Sequence, residues 1–204
     1  MLGKTGMMQN NVTIGITGSI GSGKTAVSRI LKELGAVVIS ADLVAREALS
    51  NTSLISQVRK EFGDEVFEKD DIINRRKLGE IVFSDAVKLK KLNEITHPYI
   101  VNRMLEMQKC AFDSGKDFVV FDAPLLYETN LDQYCNETWV VTAPYEQRIA
   151  RVMQRDKLSY EQAKRRADSR VSDSELIKRA DEVIENTISI DALERLVKEL
   201  FEKL

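Results

Sequence analysis

The sequence predicts an α/β protein whose parallel sheet carries helices on both faces. Short apolar runs typical of buried strands alternate with stretches whose apolar residues recur at helical spacing. A chain of 204 residues can bury one full core and carry a sizeable insertion. Hydrophobic residues make up 43% of the chain and charged residues 30%, and no apolar run approaches the roughly 18 residues that a membrane helix requires.

The opening of the chain predicts a strand, a glycine loop, a helix and a second strand. Residues 1–11, MLGKTGMMQNN, lack the apolar core of a signal peptide and are expected to form a flexible leader. VTIGI predicts the first strand, and KTAVSRILKELG predicts a helix that ends at Gly35. The continuous apolar run AVVIS predicts a second strand, so the opening forty residues are expected to form a βαβ unit in which the first two strands make a parallel pair.

The rest of the chain alternates helical and strand-like patterns. From Asp42 to about Asp113 the pattern is mostly helical. The runs DFVVFD, ETWVVTA and ADEVIEN predict three more strands, and a C-terminal helix is expected to begin near Ile190. Residues 146–179 hold ten Lys or Arg against six Asp or Glu, with only a sparse apolar face. We expect this segment to form a protruding helical hairpin.

Charge and cysteine content limit the partners and the location. The chain has 30 basic and 32 acidic residues, so it lacks the basic excess that drives nucleic-acid binding. The two cysteines, Cys110 and Cys135, stand far apart and in no metal-binding spacing, which suits a reducing compartment. We therefore expect a cytoplasmic protein with neither nucleic acid nor membrane as partner, acting as a monomer or a small homo-oligomer.

Residues 18–25, GSIGSGKT, satisfy the pattern G-x-x-x-x-G-K-[ST] directly after a predicted strand and before a predicted helix. Glycines let the backbone fold around a phosphate with its N–H groups turned inward, and the helix N-terminus adds its positive end. Lys24 is expected to reach the β- and γ-phosphates of ATP, and Thr25 to offer its hydroxyl to Mg²⁺. If the segment were only a glycine turn, the Lys-Thr pair at its end would be there by chance. A dinucleotide-binding fold is the other alternative, but its fingerprint G-x-G-x-x-G is not matched. The sequence therefore predicts a P-loop NTPase fold.

The remaining features favour a kinase of a small metabolite. No Asn-Lys-x-Asp guanine motif is present, and the chain is short for an ABC-type or motor ATPase. A P-loop, a helical insertion and an arginine-rich hairpin correspond to the site, the acceptor region and the lid of such a kinase. The rival interpretation is a nucleotide-sensing module that uses ATP only to set its conformation.

The predicted hairpin carries two groups of arginines. The first group has the spacing i, i+3 and i+7 and shares one helical face: Arg148, Arg151 and Arg155. The second group follows one short turn later: Arg165, Arg166 and Arg170. A hairpin that closes over a nucleotide could deliver such residues to the transferred phosphoryl group. A solvated helix laced with ion pairs is the alternative, because acidic residues are interspersed.

Two aspartates stand at strand ends, where open α/β sheets assemble their sites. Asp42 could accept or orient the proton of an attacking hydroxyl, or cap the next helix, and both roles could coexist. Asp122 could hold Mg²⁺ in a Walker-B-like position, or cap the turn before Pro124. His97 precedes Pro98, which suits a first helical position, so we interpret His97 as the neighbour of a helix N-terminus.

From about Thr13 to Leu204 the chain resembles the dephospho-CoA kinases, which use ATP to phosphorylate the ribose 3′-hydroxyl of dephospho-CoA. The blocks that carry the resemblance occur in the family's order: GITGSIGSGKT, LGAVVISADLVAR, NRRKLGEIVF, LNEITHPYI, DAPLLYE and RVMQRDKLS. The chain departs from the usual family pattern at Ser19, where a second glycine is usual, at Ser40, where an Asp is usual, and at Arg170 and Ile188.

The resemblance implies roles for individual residues. ATP binding would fall to Gly21, Ser22, Gly23, Lys24, Thr25 and Ala26, with Asn186 on the adenine side. Asp42 would be the catalytic base, and Mg²⁺ would lie near Thr25 and Asp122. The charge on the phosphates would be completed by Lys24 with Arg148, Arg151, Arg155 or Arg166. The acceptor, dephospho-CoA, would contact Asp42, Arg46, Arg75, His97 and Glu128.

The resemblance also implies a division of the chain after the leader. The nucleotide-binding core is expected over residues 12–44, 116–145 and 180–204, the helical acceptor region over 45–115, and the arginine-rich lid over 146–179.

Overall fold

The computed structural model describes residues 11–168, 172–187 and 189–204. All but the last residue of the predicted leader lies outside this part of the chain, as do Arg170 and Ile188. The chain divides into two compact units, of which the smaller is Ser40–Met107 and the larger takes in the sequence on either side of it.

The larger unit is built on a parallel five-stranded sheet, as the sequence predicts. Its strands are β1 (Val12–Gly18), β2 (Val37–Ser40), β3 (Phe118–Asp122), β4 (Glu137–Thr142) and β5 (Glu182–Glu185). The strand order is β2-β3-β1-β4-β5, and β1 pairs in parallel with both β3 and β4. The expected pairing of the first two strands is therefore wrong, because β3 lies between them. Because β1 is the central strand, the loop that follows it emerges at the middle of the carboxyl edge, where open α/β sheets bind their ligands.

Five helices accompany these strands in the described part of the larger unit: α1 (Lys24–Glu33), α6 (Tyr145–Asp156), α7 (Tyr160–Asp168), α8 (Asp173–Ile177) and α9 (Ile190–Phe201). The main core joins β1 to α1 and α9 through Ile14, Leu31 and Val197, all fully buried. Burial of such side chains stabilises the fold by roughly 1.5–3 kcal/mol each. α6 and α7 pack on each other through Ile149, Val152 and Ala163, which gives a helical hairpin.

Gly35 ends α1 as the sequence predicts. Its φ of 102° is in the left-handed region that favours glycine. The N–H of Gly35 donates to the carbonyl of Lys32 at 3.1 Å, and the N–H of Ala36 donates to that of Leu31 at 3.0 Å. This pair of bonds is the Schellman motif, which satisfies carbonyls that the helix end would otherwise leave unpaired.

The smaller unit is helical. It contains α2 (Ala41–Ala48), α3 (Thr52–Phe62), α4 (Arg75–Phe83) and most of α5 (Ala86–Asp113), with two short 3₁₀ turns between α3 and α4. Its own core includes Val58, Val66 and Leu78. No helix among the described residues is long and apolar enough to cross a membrane.

Pro98 lies inside α5 and does not begin a helix, so the interpretation of His97 as the neighbour of a helix N-terminus is wrong. Proline has no N–H to donate, and its ring crowds the carbonyl four residues earlier, here that of Glu94. The helix continues through Pro98 because apolar residues before it, including Leu92 and Ile95, pack against the core of the smaller unit. This packing is tertiary, so the residues next to Pro98 in the sequence could not reveal it.

Replacing Pro98 by alanine should stabilise the protein. Pro98 is exposed, and a proline in a helix interior costs about 3 kcal/mol relative to alanine, offset by up to about 1 kcal/mol from the stiffer unfolded chain. We expect the free energy of unfolding of Pro98→Ala to rise by about 2 kcal/mol in urea titrations. Lys88→Ala, an exposed change in the same helix, is the control and should stay within about 0.5 kcal/mol of the parent. A less stable Pro98→Ala would mean that this proline supports the helix.

Candidate nucleotide-binding site

The glycine loop, residues 18–25, joins the end of β1 to the start of α1. Gly21 and Gly23 have φ values of 78° and 95°, which other residues rarely adopt. A β-carbon on Gly21 would lie 2.5 Å from the carbonyl oxygen of Arg148, and one on Gly23 would overlap the side-chain nitrogen of Asn186. Both positions therefore require glycine, for backbone conformation and for space.

Two side chains from distant parts of the sequence hold the carbonyl groups of this loop. Arg151 donates to the carbonyls of Gly21 and Ser22 at 3.3 and 3.1 Å. Asn186 donates to the carbonyl of Ser22 at 2.9 Å, and its own backbone carbonyl accepts from Arg151 at 2.9 Å. We call Arg151 and Asn186 the carbonyl clamp. Since a trans peptide points its C=O and N–H in opposite directions, the clamp turns the N–H of Gly23 to the opposite side of the loop.

The first turn of α1 is suited to an anion. Its N-cap residue is Gly23, which has no side chain to accept from the first N–H groups, and the turn contains no acidic residue. Unpaired N–H groups and the positive end of the helix dipole both favour a phosphate there. Lys24 and Thr25 are the first two residues of the helix, and the side chain of Thr25 is exposed.

Asp122, the last residue of β3, turns its carboxylate toward α1. It forms an ion pair with Lys24 and accepts a hydrogen bond from the hydroxyl of Ser28 at 2.8 Å. The alternative in which Asp122 caps the turn before Pro124 is therefore wrong. Sequence reasoning missed Ser28, although its position four residues after Lys24 places both on one face of the helix.

The donors at this end of the loop fit Mg²⁺ only as a partner of bound phosphate. No group of three or more His, Cys, Asp or Glu side chains in the described part of the chain is arranged to hold a metal ion. Thr25 can offer a hydroxyl and Asp122 a carboxylate. Mg²⁺ usually takes one or two protein ligands of this kind and completes its shell with water and substrate phosphates, so the residues present are compatible with it.

The arginines of the hairpin have two different environments. Arg148 is 7% exposed; it donates to the carbonyl of Ala143 at 3.1 Å and pairs with Asp173 at 3.0 Å. Arg155 and Arg166 are exposed and both pair with Asp156, at 2.8 and 2.6 Å. The hydrogen bond from Arg155 lowers the pKa of Asp156. Arg148 and Arg151 thus lie against the glycine loop, whereas Arg155 and Arg166 lie on the exposed part of the hairpin. A contact of any of the four with phosphate stays a prediction.

Hydrogen bonds between tyrosines and carboxylates tie α6 to α7. The hydroxyl of Tyr145 donates to Asp168 at 2.8 Å, which raises the pKa of Tyr145 to about 12. The hydroxyl of Tyr160 donates to Glu146 at 3.2 Å, and the charge of Glu146 raises the pKa of Tyr160. These two bonds link the start of α6 to the end and the start of α7.

In the smaller unit, Asp42 is an exposed residue in the first turn of α2, and it is not the helix cap. Ser40 is the N-cap, and its hydroxyl oxygen accepts from the N–H of Leu43 at 3.4 Å. The capping role expected as one alternative for Asp42 is therefore wrong, and the residue that departs from the usual family pattern performs it. The carboxylate of Asp42 is not needed for the cap.

The structure brings together two of the predicted acceptor-binding residues. Arg75, the first residue of α4, donates to the backbone carbonyl of Arg46 at 2.8 Å. His97 is half-buried within α5 of the same unit. Glu128 is exposed in the turn after β3, in the larger unit.

Comparisons with known proteins agree on one family. A sequence model described as dephospho-CoA kinase matches residues 12–192. The dephospho-CoA kinase of Listeria monocytogenes serotype 4b is 38% identical over 186 residues, which cover 91% of this chain and 93% of the relative. The solved dephospho-CoA kinase of Campylobacter jejuni is 33% identical, covers 94% of this chain and 96% of its own, and superposes with a TM-score of 0.69.

A more distant structure bears on the fold alone. Shikimate kinase from Acinetobacter baumannii is 18% identical, with a TM-score of 0.55 over 95% of this chain and 93% of its own. The predicted P-loop NTPase fold is thereby confirmed.

Removing the arginine of the carbonyl clamp should weaken ATP binding. Arg151→Ala leaves the carbonyls of Gly21 and Ser22 without a charged donor, and each such bond contributes about 1.5–3 kcal/mol. We expect the Kd for ATP, measured by calorimetry, to rise on the order of 10- to 100-fold. Gln154→Ala, an exposed change in the same helix, is the control. An unchanged Kd with lost turnover would show that Arg151 acts on the transferred group and not on the loop.

Proposed function

The chain belongs to the dephospho-CoA kinase family, and from that membership we propose that it transfers the γ-phosphoryl group of ATP to the ribose 3′-hydroxyl of dephospho-CoA, giving CoA and ADP. This reaction is the last step of coenzyme A biosynthesis. The observation that carries the proposal is the glycine loop, whose carbonyl groups are held by Arg151 and Asn186 while the start of α1 remains open to an anion.

The triphosphate is bound by groups that compensate its charge. The N–H of Gly23 and the first N–H groups of α1 donate to the phosphates, and the ammonium of Lys24 reaches the β- and γ-phosphates. Lys24 is paired with Asp122 in the structure, so binding replaces one anionic partner by another. Arg151, Arg155 and Arg166 are the candidates that complete the charge at the transferred group, together with Arg148. Ala26 and the buried Asn186 support the nucleotide side of the site.

Asp42 acts as the general base. A carboxylate that accepts the proton of the 3′-hydroxyl raises the nucleophilicity of the oxygen as it attacks the γ-phosphorus. Its exposed position at the start of α2, with the capping role assigned to Ser40, supports this assignment.

Mg²⁺ is held by the hydroxyl of Thr25 and, directly or through water, by the carboxylate of Asp122. When bound, it neutralises phosphate charge. Ser28 donates to one oxygen of Asp122 and so restrains the direction in which that carboxylate can offer a lone pair.

The helical unit is the proposed acceptor region, corresponding to residues 45–115 of the predicted division. Arg46, Arg75 and His97 provide its contacts to dephospho-CoA, and Glu128 is the proposed contact from the larger unit. Residues 146–179 form the proposed lid, and residues 12–44, 116–145 and 180–204 form the nucleotide-binding core. The protein is proposed to work in the cytoplasm as a monomer or a small homo-oligomer.

A panel of acceptors tests the proposed reaction. Purified protein with ATP and Mg²⁺ should release ADP rapidly only with dephospho-CoA, and mass spectrometry should show that the product has the mass of CoA. Shikimate and deoxyadenosine serve as unrelated alcohol acceptors. ADP release that is faster with another alcohol would identify a different metabolite kinase. Tight ATP binding that no acceptor converts into turnover would favour a nucleotide-sensing module.

Asp42→Asn tests the general base. We expect kcat to fall by about 10²- to 10⁴-fold, because proton transfer by a positioned group contributes this much, with the Kd for ATP unchanged. Glu47→Gln, an exposed carboxylate change in the same helix, is the matched control and should keep kcat. If kcat of Asp42→Asn equals that of the parent, the carboxylate takes no part in the chemistry.

A further inference from the structure

Asp173, the first residue of α8, contacts two sequence-distant groups beside the glycine loop. One carboxylate oxygen accepts a hydrogen bond from the hydroxyl of Ser19, the second residue of the loop. The other pairs with the guanidinium of Arg148 at 3.0 Å. Ser19 and Arg148 are 8% and 7% exposed, and the side chain of Asp173 is 26% exposed, so both contacts lie at the edge of the buried interior. Sequence reasoning assigned Asp173 no role.

Arg148 needs this carboxylate. A buried charge without a partner is strongly unfavourable, and removing one member of a buried ion pair costs far more than losing an exposed one. The carbonyl of Ala143 also accepts from Arg148, but it carries no net charge. Arg148 also lies over the ring of Tyr145, but Asp173 is its anionic partner among the described contacts.

A displacement of Arg148 would reach the loop by two routes. The backbone of Arg148 lies directly against Gly21, where even a single added carbon would approach its carbonyl oxygen to 2.5 Å. Arg151 lies one helical turn further along α6 and donates to the carbonyls of Gly21 and Ser22. The position of α6 therefore fixes the carbonyl clamp, and Asp173 helps to fix α6.

The contact with Ser19 adds a direct attachment at the start of the loop. The carbonyl of Ser19 accepts from the N–H of Ser22 at 3.0 Å, so the backbone of Ser19 closes the turn that precedes Gly23. A glycine at this position would have no hydroxyl to donate to Asp173.

We propose that Asp173 is a positioning residue of the nucleotide site: through Ser19 and Arg148 it holds the glycine loop in the conformation that binds ATP. The inference rests on the proposed function only in that the loop is the ATP site. In this proposal Arg148 acts on the loop and not on the transferred phosphoryl group, so loss of Asp173 changes the affinity for ATP and leaves the chemical step intact.

Kinetics of Asp173→Ala, Asp173→Glu and Ser19→Ala test the proposal. For Asp173→Ala we expect the KM for ATP to rise on the order of tenfold, with kcat and the KM for dephospho-CoA within about twofold of the parent. Ser19→Ala should raise the KM for ATP by about threefold, because the ion pair remains. The double variant should match Asp173→Ala, since the Ser19 contact cannot be lost twice. Asp173→Glu should recover part of the affinity.

Glu175→Gln is the matched control, because Glu175 is a carboxylate of the same helix that is exposed and pairs only with Lys178 among the described contacts. It should keep the parent KM for ATP. The proposal is overturned if Asp173→Ala lowers kcat alone, raises both KM values equally or binds ATP more tightly, or if the two single effects simply add. If Asp173→Ala does not fold, Ser19→Ala still tests the proposal. A raised KM for ATP supports it, and an unchanged KM overturns it. The Kd for ATP measured without acceptor gives the same test even if dephospho-CoA proves not to be the substrate.

Discussion

The nucleotide site depends on the side chains that donate hydrogen bonds to the carbonyl groups of the glycine loop. A loop whose N–H groups must point at a ligand cannot use its own backbone to satisfy the carbonyls that face the other way, and buried carbonyls without donors are costly. Here Arg151 and Asn186 supply the donors. Arg151 is well suited because its planar guanidinium reaches the carbonyls of Gly21, Ser22 and Asn186 at once. The clamp therefore turns a flexible, glycine-rich sequence into a defined anion site.

The arginine-rich segment makes buried contacts where it meets the loop and exposed ion pairs further out. Arg148 and Arg151 in α6 contact the glycine loop or its supports, and Asp173 in α8 is linked to Arg148 and to Ser19 of the loop. By contrast, Arg155 and Arg166 share the single carboxylate of Asp156 on an exposed surface. Exposed ion pairs exchange partners easily because water screens them.

Local signals in the sequence were enough for the first strand, the P-loop and the end of α1 at Gly35, since each depends on residues within one turn or one strand. They did not reveal the neighbours of β1: the expected pairing of the first two strands is wrong, because β3, from much later in the chain, lies between them. Local signals were also insufficient wherever one side chain has more than one possible partner. Asp122 could cap the next turn or face α1, and only the packed sheet sets its direction toward Lys24 and Ser28. Pro98 has the signature of a helix start, but tertiary packing carries α5 through it. The links from Asn186 and Asp173 to the loop join residues 164 and 154 positions apart, a separation that no periodicity reveals.

The clamp also has a consequence for the order in which the protein acquires its structure. Because Asn186 follows β5 and Ser22 precedes α1, the loop conformation is closed by one of the longest-range contacts in the chain. Such contacts form late, after the entropy of the intervening chain has been lost. During synthesis, a nascent chain that has emerged only as far as β4 displays the complete glycine motif but lacks both clamp residues. The loop therefore reaches the conformation described above only once β5 and the residue after it have been made.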